Sequence, residues 1–276
     1  MPILQTKSSA IYFQLEGKAN APTIVFSNSL GTDLTLWDGQ MADLAPYFQI
    51  LRYDTRGHGK SAVPAGEYSI EQCGKDVLEL LDALNLVRVY FVGLSMGGMI
   101  GQWLALNAPN RLHKLVLSNT AAQIGHPDFW NARIQLVLEK GVGFIADAVL
   151  QRWLTPPFLT QQVEKINHFK TVLSQTSAIG YAGCCAAVRD FDARTNVAKI
   201  EVPTLIISGT EDIATPVEDG LFLKRQIPNA QLLTVPTAHL GNIEAEVIFN
   251  QVIIDFFKTN NLTQSETHAQ GMKVRR

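Results

Sequence analysis

Ser95, Asp212 and His239 offer a hydroxyl, a carboxylate and an imidazole in that chain order, each just beyond a stretch that reads as a buried strand. A serine hydroxyl attacks poorly until a base takes its proton, and that base needs a third group to fix its tautomer. Ser95 has the most informative surroundings. Val89-Tyr90-Phe91-Val92 is a short β-branched and aromatic run, suited to a strand buried on both faces. Gly93-Leu94-Ser95-Met96-Gly97 then fits G-x-S-x-G, and a helical pattern follows that stops near Pro109. Strand, sharp turn and helix form the context in which this motif presents a nucleophile at a sheet edge. The helix start also favours negative charge through its free N–H groups. A plain reading competes: a glycine-rich helix start used only for close packing.

Other residues compete for the remaining roles. Glu211 adjoins Asp212. Asn119 follows a strand at 114–118, but an amide cannot carry the charge that stabilises an imidazolium. His58 lies in the loop DTRGHG, and His113 sits just before a strand, at the opposite edge. His126 and His168 fall in a helical stretch, and His268 in the polar C-terminal segment. A tetrahedral oxyanion on Ser95 needs backbone donors already in place. One is the N–H of Met96. The other must come from Asn28-Ser29-Leu30-Gly31, at the carboxyl end of a strand, where open α/β sheets place their sites.

The elements that must position these groups alternate. Strands are expected at 3–6 and 10–15, paired antiparallel at an edge, then at 23–27, 49–53, 89–92, 114–118, 204–208 and 231–235. Ser69 and Gln72 form a capping box opening a helix that buries Val77, Leu80, Leu81 and Leu84. Between 119 and 196 strand patterns vanish. Helical periods run over 129–140, 143–154, 161–175 and 177–189, punctuated by Gly141, Pro156-Pro157 and Gly183. Helices are also expected at 217–226 and 244–257. The alternation implies a mostly parallel central sheet with helices on both faces. The order Ser, Asp, His resembles that of α/β-hydrolases. The expected fold class is therefore the α/β-hydrolase fold with an inserted helical lid. Residues 1–118 and 197–258 form the core, 119–196 the lid, and 259–276 a disordered tail. Many hydrolases of this fold carry His-Gly in the loop where this chain has Asn28-Ser29. By that correspondence the second oxyanion donor is the N–H of Leu30.

Composition narrows the function. The 276 residues are 46% hydrophobic and 17% charged, enough for a sizeable core. A net charge of −2 with no basic stripe argues against nucleic acid as a partner. No apolar run is long enough to span a membrane, and the N-terminus has no signal-peptide pattern. Three cysteines, Cys73, Cys184 and Cys185, make no disulfide framework and no metal-ligand spacing with the histidines. A reduced, cytoplasmic protein without metal or cofactor is expected, its oligomeric state unread.

Over nearly its whole length, to about Lys258, the chain resembles the 3-oxoadipate enol-lactonases. The narrow matches are FSNSLGTD, MGGMIGQWLA, WNAR and GYAGCCAA, beside the broader RYDTRGHGKS, GTEDIATP and AHLGNIE. The resemblance implies hydrolysis of a small lactone that carries a carboxylate, with no cofactor. Such a ligand needs an apolar wall and a cation. Trp130 and Arg133, three apart on one helix, are the candidates, with Arg152 and Arg189 as alternative cations. Arg56, His58 and Ser61 are expected to be structural, and Met99 and Trp103 to lie in the core. Two other readings stand: an esterase or perhydrolase for uncharged esters, and a receptor keeping a vestigial triad.

Overall fold

A computed structural model describes residues 2–259. Eight strands form one sheet in the order β1-β2-β4-β3-β5-β6-β7-β8. They are β1 Ile3–Gln5, β2 Ala10–Gly17, β3 Thr23–Ser27, β4 Gln49–Tyr53, β5 Val89–Leu94, β6 Leu112–Ser118, β7 Thr204–Gly209 and β8 Ala230–Val235. The first two ladders, β1 with β2 and β2 with β4, are antiparallel. All the others are parallel. Every residue of β3 and β7 is buried, as strands covered on both faces require.

The helices are α1 Asp38–Leu44, α2 Ile70–Ala83, α3 Met96–Asn107, α4 Pro127–Lys140, α5 Ala146–Trp153, α6 Pro156–Gln161, α7 Val163–Gln175, α8 Ala178–Asp190, α9 Val217–Gln226, α10 Gly241–Glu244 and α11 Glu246–Lys258. They cover both sides of the sheet, α2 packing on α3 and α1 on α11. Helices α4 to α8 run consecutively between β6 and β7, and α4 packs along α8. The capping box at Ser69 and Gln72 is complete. Val77, Leu80 and Leu81 are buried, whereas Leu84 is the half-buried residue that caps α2.

Several boundaries differ from the sequence reading, each for a local reason. Residues 34–44, unread as structure, form a 3-10 turn at Leu34–Trp37 and then α1, started by the Asp33 side chain accepting from Thr35 N–H. The expected helix at 143–154 is a 3-10 turn, Val142–Ile145, followed by α5. Pro156-Pro157 opens α6 instead of breaking a helix, because the first turn needs no N–H. Gly183 lies inside α8 and not at its end. A Cβ there would meet the Tyr68 ring at 2.7 Å, so the residue serves close packing. His113 is within β6 and exposed. The closing helix is two, parted at Ala245, whose φ of −123° and ψ of 47° are not helical. The tail assigned to 259–276 falls, beyond Thr259, outside the described residues.

One buried ion pair ties the core side of the site together. Arg56, just past β4, donates to both carboxylate oxygens of Asp76 on α2 at 2.6 and 2.7 Å. Both side chains are almost fully buried. Removing one partner strands a charge in the interior, which typically costs about 3–5 kcal/mol, whereas replacing both with apolar groups costs much less. Asp76→Asn is thus expected to lower the urea-unfolding free energy by roughly that amount. The double variant Arg56→Met/Asp76→Leu should recover most of it in the same measurement.

Candidate active site

The turn from β5 into α3 sets the site. Ser95 has φ 57° and ψ −115°, a conformation that L residues rarely adopt. Its N–H donates to Ser118 O on β6, and Thr120 Oγ1 donates to its carbonyl at 2.7 Å. The turn is too tight for side chains on either flank. A Cβ on Gly93 would lie 2.1 Å from Gly97 O, and one on Gly97 would lie 2.2 Å from Ser27 O.

Asp212 and His239 extend from the loops after β7 and β8. Their contact is direct: His239 Nδ1 lies 2.8 Å from Asp212 Oδ2. With Nδ1–H donating to the carboxylate, Nε2 is left as the basic nitrogen. Asp212 is encircled by donors. Asn119 Nδ2 and Thr215 Oγ1 reach Oδ2 at 3.0 and 2.6 Å. The N–H groups of Ala214 and Thr215 reach Oδ1 at 2.8 and 3.0 Å. Burial alone would raise its pKa, but His239 and these donors hold it well below the usual carboxylate range. Glu211 points to solvent instead. Asn119, set aside as an acid, thus meets the acid, and donates also to Ala238 O in the His239 loop.

Ser95 and His239 line one cavity of about 280 Å³. Among the described residues no hydrogen bond joins Ser95 Oγ to the imidazole, a looseness common before substrate binds. Leu30 lines the same cavity. Among the described residues, neither its N–H nor that of Met96 has a protein acceptor. The loop carrying Leu30 is held from both ends. Asn28 donates to Tyr53 O and accepts from Trp37 Nε1, each at 2.8 Å, and Gly31 N–H donates to His58 Nε2 at 2.9 Å.

Helices α4, α5 and α8 supply the far wall. Trp130 lines the cavity, with its indole N–H on Ile124 O at 2.6 Å. Arg133 lines it too, donating to Tyr181 Oη at 3.3 Å and lying over the Phe129 ring. Arg152 is a second cation there, stacked on the same ring at 5.8 Å. Neither guanidinium pairs with a carboxylate among the described residues. Arg189 is bound to Glu67 and Asp190 and lies away from the cavity. Phe129, Val149, Trp153, Tyr181 and Ile213 also line it and were not singled out from the sequence. Phe129 lies four residues before Arg133 on α4, a spacing that places both on one face. Of the other candidates, Met99 and the three cysteines are buried, and Trp103 is half-buried against Gly74. His126 caps α4, and His168 meets Thr35. Among the described residues no cluster suits a metal ion, and no helix is long and apolar enough to cross a membrane.

A sheet of this order, with a serine turn after β5 and an Asp–His pair after β7 and β8, is that of a hydrolase. The family model described as alpha/beta hydrolase fold matches residues 22–246, and the chain belongs to that family. Among individual proteins, it is 40% identical to 3-oxoadipate enol-lactonase 2 of Acinetobacter baylyi, across 95% of this chain and all of that one. The crystal structure of the enol-lactonase from Burkholderia xenovorans LB400 superposes with a TM-score of 0.92 at 40% identity, covering 94% of this chain and 100% of that one. A hydrolase from Pseudomonas aeruginosa PA01 superposes at 0.91 with 42% identity, over 94% and 98% of the two chains.

Two measurements follow from this geometry. Asp212→Asn keeps the shape but loses the charge and tautomer control, so kcat should fall on the order of 10⁴, as in serine proteases. Glu211→Gln should leave kcat nearly unchanged in the same assay. His58 supplies a pH effect on stability. Burial lowers its pKa to about 4, while the Arg56 carbonyl and the Asp33 charge oppose that only in part. The unfolded imidazole takes a proton near pH 6.5, and the folded one only near 4. Stability is therefore full above pH 6.5 and falls as pH drops between these values, by up to about 3 kcal/mol. Urea melts between pH 7 and 4 should show this slope, reduced by about one proton in His58→Gln.

Proposed function

We propose that Ser95 is the nucleophile, His239 its base and Asp212 the orienting acid in the hydrolysis of 3-oxoadipate enol-lactone to 3-oxoadipate. The protein is an ester hydrolase, and its curated relatives at 40% and 37% identity are 3-oxoadipate enol-lactonases. One structural observation carries the reading to this chain: a small cavity holds Ser95 and His239 at one wall and, at the other, the Arg133 and Arg152 guanidiniums, neither of which pairs with a carboxylate among the described residues. That suits a compact lactone with a carboxylate on its side arm. Helices of 119–196 act as the lid that brings those guanidiniums over the sheet edge.

In this mechanism Ser95 Oγ attacks the lactone carbonyl as His239 Nε2 takes its proton. The N–H groups of Leu30 and Met96 stabilise the oxyanion. Collapse of the tetrahedral adduct breaks the ring C–O bond, and His239 returns its proton to the departing enol oxygen. A water activated by His239 then hydrolyses the acyl-enzyme. The departing oxygen stays tethered to the acyl group and is able to close the ring again. Tautomerisation of the enol to the ketone removes that nucleophile and pulls the reaction forward. Exchange of ¹⁸O from water into recovered lactone should accordingly be slow beside turnover.

The decisive assay is ring opening of freshly generated 3-oxoadipate enol-lactone, which Ser95→Ala should abolish. Arg133 is the proposed carboxylate grip, with Trp130 as the ring wall. A charge-assisted bond contributes about 1.5–3 kcal/mol, or roughly 10- to 100-fold. Arg133→Met should lose that much kcat/KM on the carboxylated lactone and little on a neutral ester of similar size. Equal losses on both substrates would remove Arg133 from this role.

A further inference from the structure

We propose that His58 is a positioning residue for the reaction: by accepting the Gly31 N–H it holds the neighbouring Leu30 N–H where the oxyanion forms. This rests on the reading of Ser95 as nucleophile and goes beyond it, because His58 does not line the cavity. The contact is short and buried. Gly31 N–H donates to His58 Nε2 at 2.9 Å, and the imidazole is 2% exposed. His58 Nδ1 faces Arg56 O at 3.3 Å and Cys184 Sγ at 3.8 Å. A carbonyl beside Nδ1 requires that nitrogen to carry the proton, which leaves Nε2 as the acceptor that the Gly31 contact needs. The ring is therefore fixed in one tautomer by its surroundings.

Gly31 has φ 83° and little room. A Cβ there would lie 2.8 Å from Leu173 and 3.0 Å from the Tyr181 ring, so helices α7 and α8 press on the loop from above while His58 holds it from below. His58 itself is seated by its own loop. Arg56 is clamped to Asp76, and Gly57 meets the backbone of Gly180 in α8. The direction of the Leu30 N–H is set between these supports. A donor aimed in advance stabilises the transition state without reorganising, and loss of a whole donor costs about 10²–10³ in kcat. Misdirecting it should cost less.

The test uses a pair of amides. In His58→Gln the side-chain oxygen reaches the place of Nε2 and still accepts from Gly31. In His58→Asn the amide reaches only the place of Nδ1 and leaves Gly31 without a partner. Against 3-oxoadipate enol-lactone, His58→Asn should lose roughly 10- to 100-fold in kcat with KM little changed, and His58→Gln should recover most of it. Phenylboronic acid, which forms a tetrahedral anion on an active serine, should weaken in His58→Asn by the same factor as kcat/KM. Equal kcat for the wild type and His58→Asn, or a loss confined to KM, overturns the proposal. A boronate affinity that does not change overturns it too. A wild-type protein inactive on this lactone would instead overturn the enol-lactone reading, and one that binds no phenylboronic acid would overturn the assignment of Ser95. The native protein gives an answer that needs no variant: ¹⁵N spectra of the histidines should show Nε2 of His58 unprotonated at neutral pH. A proton on that nitrogen would exclude the Gly31 contact.

Discussion

The whole site depends on one tight turn. Ser95 sits in a strained conformation because β5 must pass into α3 at the centre of the sheet, with the helix start pressed onto the end of β3. The strain persists because neighbouring strands and loops over-determine it: Ser118 O holds the Ser95 N–H, and Thr120 holds its carbonyl. The same approach that forces glycine at Gly97 brings the β3 loop, with Leu30, beside the serine. The serine turn and the loop with the Leu30 N–H, the proposed nucleophile and oxyanion donor, are thus brought together by a single backbone contact.

Parallel strands do the rest. Loops after β3, β5, β7 and β8 all leave the sheet at one edge, since these strands run the same way. Residues far apart in the chain meet there without any long excursion. Asp212 is three residues past β7, and His239 four past β8. Asn119, first after β6, fills the gap between them and is held at φ 45° to do so. Its amide cannot replace the acid, but it can lower the cost of burying one.

Much of this was legible in the chain because its causes are local. The strands at 23–27 and 49–53, the helix at 217–226 and the Ser69–Gln72 capping box appear where their residues place them. Chain order and strand ends were enough to gather Ser95, Asp212 and His239 at one edge. What could not be read depends on distant partners. Thr215 and Asn119 are ordinary polar residues until Asp212 lies between them. Arg152 and Arg189 look alike in sequence, and only the stacking of α4, α5 and α8 turns one into the cavity and leaves the other with Glu67. The proline pair at 156–157 was ambiguous in principle, since proline both ends helices and begins them.

The helices over the site do more than cover it. On the Ser95 side, Leu173 and Tyr181 press on Gly31, and Tyr181 also meets Arg133. On the His239 side, Leu240 N–H donates to Trp153 O at the end of α5. Glu244 accepts from Ala238 N–H with one oxygen and from the Thr155 N–H and hydroxyl with the other. The His239 loop is therefore fastened to the end of α5, which carries Arg152, and the Leu30 loop packs against α7 and α8, where Tyr181 in turn meets Arg133 of α4. A shift of α5 would move Arg152 and loosen the His239 loop together. On the proposed reading, water exclusion, anion binding and alignment of Ser95 and His239 then form a single structural condition and not three independent ones.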